Sequence, residues 1–333
     1  MMTSVTGRLR ATLDHVRSLT AGAGGERLAE VVGLALDVVE AQSPEGGLAC
    51  VEVPLLAHEA IIGSVEPAIP VAAAATCVYA GADVLDNLLD HELPAAWAAT
   101  SPGQVTIAGA ALLASLPHVA IDSLGDLADA ATKQALHGLV GGTLWRMASG
   151  QVADLEPGSS TGPVEALESV AGKSGAELAL FAAMGARLAS PDPVLVGAFE
   201  EYGLNLGIAG QVASDCYDIW RSSASADLGN GTMSVPIAYA VATARGDDAV
   251  ELREALERAR GDRSAHPVAA RLLSRLGAAQ YAALKVQTHV IRARAALRAT
   301  GLDNDATRRM AARADAVSLI HHNAAQEETC ATM

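Results

Sequence analysis

Residues 71–90 constrain this chain more than any other stretch. Val71 to Cys77 is an unbroken run of small, mostly apolar side chains, and Asp83, Asp86 and Asp90 follow at spacings of three and four. In a helix those spacings set the three carboxylates one above another on one face. Unpaired like charges at such spacings cost roughly 0.2–0.5 kcal/mol per pair on an exposed helix. A cation held between them reverses the sign. The stretch is therefore either a solvated acidic face or a divalent-metal shelf at the mouth of an apolar cavity.

The composition says what surrounds it. Half of the 333 residues are apolar and 18% are charged, enough for a sizeable core. Aromatics make up only 3%, while alanine is abundant, which favours closely packed helices over sandwiches or barrels. The net charge of −15 argues against nucleic acid, whose phosphates need a basic surface. Anionic substrates stay open where metal ions mediate the contact. Cys50, Cys77, Cys216 and Cys330 form no CxxC pair, which suits a reducing cytoplasm better than a disulfide framework. Met1–Leu13 carries no apolar signal-peptide core. The apolar runs from Val71 and Val105 are too short or too interrupted to read as membrane spans, since Asp83 and Pro117 break them.

Helical periodicity runs almost throughout, and no segment shows sustained period-two alternation. We expect an all-α chain of ten to twelve helices forming one domain over 1–333. Its motif-bearing core is 65–240 and its tail, 322–333, is frayed. Among the expected elements are a nearly all-apolar helix over Gln104–Leu116, buried on most sides, and a polar loop over Gly150–Gly162. Continuous helices are expected over Pro163–Leu188 and Pro267–Leu297, and a loop over Ser222–Pro236. The Val286–Ile291 patch is the most strand-like, within helical flanks.

A second acidic pair closes another apolar helix. Asp215 and Asp218 stand three apart in Gly210–Trp220. Carboxylates late in a buried helix are costly unless a cation meets them. Arg221 is one such partner, and a second metal shelf is the other reading. Two shelves suit several Mg²⁺ ions, which take oxygen ligands and bridge phosphate oxygens.

With that second pair, the chain resembles the trans-prenyl diphosphate synthase and class I terpene synthase superfamily. Asp83-Val84-Leu85-Asp86 is similar to the end of its Asp-Asp-x-x-Asp motif, with Ala82 in the leading position. Gly210-Gln211 to Asp218 resembles Phe-Gln-x-x-Asp-Asp-x-x-Asp, with Ser214 replacing one Asp. Gly150-Gln151-Val-Ala-Asp154 is similar to Gly-Gln-x-x-Asp, and Gly172-Lys173-Ser174-Gly175 to Lys-Thr-Gly. Asp227-Leu228 through Gly231-Thr232-Met-Ser-Val-Pro236 resembles Asp-Leu-x-x-Gly-Lys-x-Thr-Leu-Pro, with Thr232 in place of lysine. These blocks lie in family order.

The resemblance implies an all-α isoprenoid-synthase barrel around an apolar cavity, a prenyl diphosphate substrate, Mg²⁺ and a homodimer, with Gln104–Leu116 as a plausible interface. It implies metal ligation by Asp83, Asp86, Asp90, Asp215 and Asp218. Asn87 is either a further metal or water ligand or an exposed polar residue. Lys173, Gln151, Gln211 and Arg221 would hold the diphosphate. Tyr79, Phe181, Tyr217 and Trp220 would either turn π faces to a carbocation, each worth about 0.5–2 kcal/mol, or simply pack the core. Chain-elongating relatives hold isopentenyl diphosphate with basic residues around the first motif, yet no Lys or Arg occurs between Arg27 and Lys133. Asp90, His91 and Glu92 stand where an Arg pair is expected. A second, metal-free diphosphate needs charge-assisted hydrogen bonds to leave water. The expected function is therefore a Mg²⁺-dependent class I terpene synthase ionising one allylic diphosphate. The alternatives are a divergent trans-prenyltransferase, either elongating with isopentenyl diphosphate or prenylating another acceptor, and a catalytically inactive partner of a prenyl diphosphate synthase.

Overall fold

The structure is a computed structural model that describes residues 4–22, 25–43, 47–89, 94–154, 162–222 and 224–319. Among these residues there is no strand. The helices in chain order are α1 (Val5–Gly22), α2 (Glu26–Ala41), α3 (Ala49–Ile62), α4 (Ile69–Leu89), α5 (Pro102–Ala114), α6 (Leu116–Asp122), α7 (Ala130–Asp154) and α8 (Pro163–Val170). Then come α9 (Ala176–Ala189), α10 (Pro193–Arg221), α11 (Ala226–Asn230), α12 (Val235–Thr243), α13 (Gly246–Gly261), α14 (His266–Arg275), α15 (Ala278–Ala299) and α16 (Asp305–Ala316). Two compact units divide the chain. The first is Met1–Trp145 with Glu177–Gly203 and Ala296–Ala311, and the second is Arg146–Ala176 with Leu204–Ala295 and Ala312–Met333.

In the first unit α4 packs against α1, α3, α5 and α6. Every residue from Pro70 to Val78 is buried, as a helix apolar on all sides requires. Small residues make the close approaches possible. A Cβ on Gly81 would stand 2.7 Å from Leu113 Cγ, and one on Gly109 of α5 would stand 2.8 Å from Val84 Cγ1. The α4–α5 contact thus fits glycine to bulky side chain in both directions, on either side of Asp83. A Cβ on Gly185 of α9 would overlap the backbone of Pro54 in α3. Pro54 lies inside α3 rather than interrupting it. Below α4, Arg8 donates to both oxygens of buried Glu52, at 2.9 and 2.6 Å.

The second unit packs α12 and α15 against the middle of α10 through Val212, Val235, Ala238, Ala282 and Val286. A neighbouring cluster joins Ile219 to Leu228, Leu252, Leu272 and Leu273. Trp220 lies against both clusters and donates its indole N–H to the Ala270 carbonyl at 3.1 Å.

Several expected boundaries move. Helix α7 continues to Asp154, into the stretch expected to be a loop from Gly150, and residues 155–161 of that expected loop lie outside the described residues. The expected single helix over Pro267–Leu297 divides at Gly277, whose φ of 84° only glycine adopts readily. A π-turn, Ala171–Gly175, interrupts the stretch 163–188. Within Ser222–Pro236 the short α11 forms. Val286–Ile291 is helical within α15. The all-apolar α5 is not buried on most sides: it buries Val105, Ala108, Gly109 and Leu112, while Ile107 is 61% exposed. One apolar face meets the core, and the other is exposed among the described residues. By length and composition Glu66–Leu89 and Pro102–Asp122 would suit a membrane span; most of the first is buried inside the protein. Cys50, Cys77 and Cys216 are buried free thiols. Asp90 and the expected frayed tail lie outside the described residues.

Gly185→Ala tests the α3–α9 approach. A methyl there meets backbone, which cannot rotate away, so we expect a loss of about 2–3 kcal/mol, read as a lower urea midpoint.

Candidate active site

The first carboxylate group stands at the end of buried α4. Asp83 is half-buried, and burial pushes its carboxyl up. Asp86, three residues on, is exposed. Asn87 donates to the Asp83 carbonyl at 2.8 Å and to Asp83 Oδ2 at 3.2 Å. In this arrangement the Asn87 amide N–H braces Asp83. One turn below, Tyr79 is enclosed. Burial raises its phenol, and Cys50, Asp83 and Glu177 raise it further. Phe181 is fully buried on α9, one turn beyond Glu177.

Glu177 was not among the residues singled out above. It is 9% exposed, and its Oε1 is buried without a hydrogen-bond partner. Its carboxyl is pushed up to about 8, by burial first and then by Asp86 and Asp83. The signal in the sequence is slight: one acid in the otherwise apolar run 176–186. Such a residue reads as a solvated face until burial is known.

The second group is built around the π-turn. Lys173 sits on that turn, half-buried. A Cβ on Gly150 of α7 would lie 3.5 Å from Lys173 Cγ, so the Gly150-Gln151 block lies against the lysine stem. Gln151 itself is half-exposed, and the side chain of Asp154 lies outside the described set. Ser174 Oγ donates to Gln211 Oε1 at 2.9 Å, and Gln211 Nε2 donates to Asp215 Oδ1 at 2.9 Å. A Cβ on Gly207 would overlap the Ser174 backbone, which is why α10 can approach the π-turn. Asp215 is 6% exposed, and its Oδ2 has no hydrogen-bond partner. Its carboxyl is raised to about 6, chiefly by burial, with Gln211 and the Val235 backbone opposing and Asp218 adding to the rise.

Both oxygens of Asp218 are hydrogen-bonded. Its Oδ2 accepts from Ser225 Oγ at 2.5 Å and from Asp227 N at 3.1 Å, and its Oδ1 accepts from Ala226 N at 3.0 Å. The Ser225 hydroxyl in turn caps α11, accepting from Leu228 N at 3.1 Å. The Ser225 amide donates to His266 Nδ1 at 3.2 Å. Asp218 thus ties the segment after α10 to the helix end through both of its oxygens. Tyr217 is 67% exposed and Trp220 is part of the core, so Tyr79 and Phe181 are the expected aromatics enclosed beside carboxylates. Arg221 is exposed in the last turn of α10.

Among the described residues no three His, Cys, Asp or Glu side chains converge as they do around a bound metal. Mg²⁺ does not require that. It is commonly held by one or two carboxylates, with waters and substrate phosphates completing its octahedron. The donor set here is all oxygen. In the second unit Asp215 keeps one buried oxygen without a hydrogen-bond partner, and an unpartnered carboxylate oxygen suits a hard divalent cation.

The chain has the all-α architecture of the isoprenoid-synthase folds, as the similar solved structures show. Residues 94–272, more than half of the chain, match the family described as Polyprenyl synthetase. The protein is a member of the polyprenyl synthetase family. The matched segment contains Lys173, Asp215 and Asp218 and starts after Asp83 and Asp86. The fold is similar to that of the geranylgeranyl pyrophosphate synthetase of Pyrococcus horikoshii (TM-score 0.82, 21% identity, covering 95% of this chain and 97% of that one). It also resembles the polyprenyl synthetase of Streptomyces coelicolor A3(2) (0.78, 23%, 93% and 100%). A third similar structure is the geranylgeranyl pyrophosphate synthase of Corynebacterium glutamicum, complexed with calcium and isoprenyl diphosphate (0.74, 21%, 94% and 96%). No curated protein sequence matches the chain.

Ser225→Ala removes both the bond to Asp218 and the cap of α11. We expect a loss of about 1–3 kcal/mol in urea denaturation, with Ser225→Thr keeping most of it.

Proposed function

We propose that this protein is a Mg²⁺-dependent trans-prenyltransferase acting on an allylic prenyl diphosphate. The observation that carries the reading is the family match, which spans Lys173, Gln211 and Asp215. These residues lie together in the structure, through Ser174 and the π-turn. When bound, magnesium supplies the positive charge that stabilises a leaving diphosphate. The chain's own residues do the rest. Asp83 and Asp86 offer carboxylate oxygens from α4, and Asp215 offers its unpartnered one from α10. Lys173 donates charge-assisted hydrogen bonds to phosphate oxygens, while Gln211 holds Asp215 in place. As the carbon–oxygen bond of the allylic diphosphate breaks, both electrons leave with the diphosphate. Tyr79 and Phe181 present π faces to the cation left behind and exclude water. The acceptor then forms the new bond to that carbon and gives up a proton.

One observation favours a second reading, the class I terpene synthase. The stretch from Leu28 to Thr132 contains no Lys or Arg to hold a second diphosphate, so the cation would be captured within its own chain or by water. We further propose a homodimer. Its support is the exposed apolar surface of α5, where Ile107 is 61% exposed.

The test incubates purified protein and Mg²⁺ with geranyl, farnesyl and geranylgeranyl diphosphates, each with and without labelled isopentenyl diphosphate. We expect diphosphate release, and a fall of at least about 100-fold in Asp83→Asn and Asp86→Asn with helicity unchanged. Label in a longer product identifies chain elongation. An unlabelled hydrocarbon or alcohol from a single substrate identifies the terpene synthase. No release from any substrate overturns both and leaves the inactive-partner reading.

A further inference from the structure

The segment 225–235 follows the acid-bearing end of α10 and is tied back to that helix at both of its ends. At its start Asp218 takes the Ser225 hydroxyl and the amides of Ala226 and Asp227. At its end Val235 packs with Val212 and Cys216 of α10, which flank Asp215. A serine hydroxyl has one proton to donate, and Ser225 gives it to Asp218. The backbone amide of Ser225 goes elsewhere: it donates to His266 Nδ1 at 3.2 Å. The same imidazole meets the Ala259 carbonyl, in the last turn of α13, through Nε2 at 3.0 Å. These partners fix the state of the ring. A carbonyl only accepts, so Nε2 carries the proton; an amide only donates, so Nδ1 is bare. His266 opens α14 and is 6% exposed. A Cβ on Gly229 of α11 would lie 3.8 Å from its Cε1, so the ring fills space beside α11 as an apolar side chain would. An apolar side chain, however, would leave the buried Ser225 amide without its acceptor, which is costly.

We propose that His266 is a positioning residue for the candidate active site. As a neutral imidazole protonated on Nε2, it holds the Ser225 backbone in place. The Ser225 hydroxyl and the two amides after it then close on Asp218, and the segment 225–235 is fixed along the end of α10. His266 touches no substrate and acts through Ser225. The inference rests on the reading that Asp215 serves a metal-bound diphosphate. A segment fixed before binding costs less to order when the diphosphate arrives, so loss of His266 weakens diphosphate binding.

The experiment measures the binding of inorganic pyrophosphate, with excess Mg²⁺, to the full-length protein by isothermal titration calorimetry. Wild type is compared with His266→Phe, His266→Asn and Asp215→Asn. Phenylalanine keeps the ring volume and offers no acceptor, whereas the asparagine side-chain oxygen can take the place of Nδ1. We expect His266→Phe to weaken binding by about 10-fold or more, and His266→Asn to recover most of that loss. A role in packing alone would favour phenylalanine over asparagine, so the order of the two variants separates positioning from packing. Wild-type affinity in His266→Phe with loss in Asp215→Asn, or equal weakening in both His266 variants, overturns the role of His266 and leaves the site standing. No binding by wild type, or wild-type affinity in Asp215→Asn, overturns the reading of the site and this proposal with it. Should His266→Phe fail to fold, the ¹⁵N spectrum of the wild-type imidazole at mildly alkaline pH carries the test: a ring protonated on Nε2 supports the proposal, and one protonated on Nδ1 overturns it.

Discussion

Close approach between helix backbones underlies the rest of this structure. With few aromatic side chains to fill space, the core gains density by bringing helices together over glycine and alanine. Gly81 and Gly109 let α4 and α5 interlock, Gly185 admits the Pro54 backbone, and Gly207 admits the Ser174 backbone. Dispersion forces at such separations are individually small and collectively large. They also leave little slack, so helix ends occupy defined places. Asp83 and Asp86 project from a helix held on several sides, and the π-turn bearing Lys173 is held against α10.

Onto this apolar frame the chain places acids where they are costly. Asp83, Glu177 and Asp215 are each raised above the ordinary carboxylate range, with burial as the largest cause. Elsewhere the same problem is solved internally: Arg8 meets Glu52 with two hydrogen bonds, and Asp218 is filled by Ser225 and two backbone amides. On Glu177 and Asp215, by contrast, one buried oxygen each has no hydrogen-bond partner.

Much of this was legible in the chain itself. The all-α class followed from alanine-rich helical periodicity, and the resemblance followed from five short blocks in order. Lys173, Ser174, Gln211 and Asp215 do come together. Other assignments were not legible. Asp215 and Asp218 have the same chemistry on paper, yet one keeps a buried oxygen without a partner while the other has both oxygens hydrogen-bonded. Tyr217 and Trp220 sit in the same two turns, but one faces solvent and the other a core cluster. The apolar sequence of α5 was expected to mean burial within its own chain, although hydrophobicity records only that water is avoided, not which surface replaces it.

What the sequence determined by itself was local: which stretches are helical and which residue types are available for cation and diphosphate chemistry, although the break at Gly277 showed only in the structure. Those outcomes depend on contacts within a turn or two of chain. Tertiary structure decided which acids lose their water. Desolvation depends on neighbours far away in sequence, as for Glu177, enclosed with Tyr79, Cys50, Asp83 and Asp86 although more than ninety residues separate it from them. A solitary glutamate in an apolar run carries no mark of that enclosure.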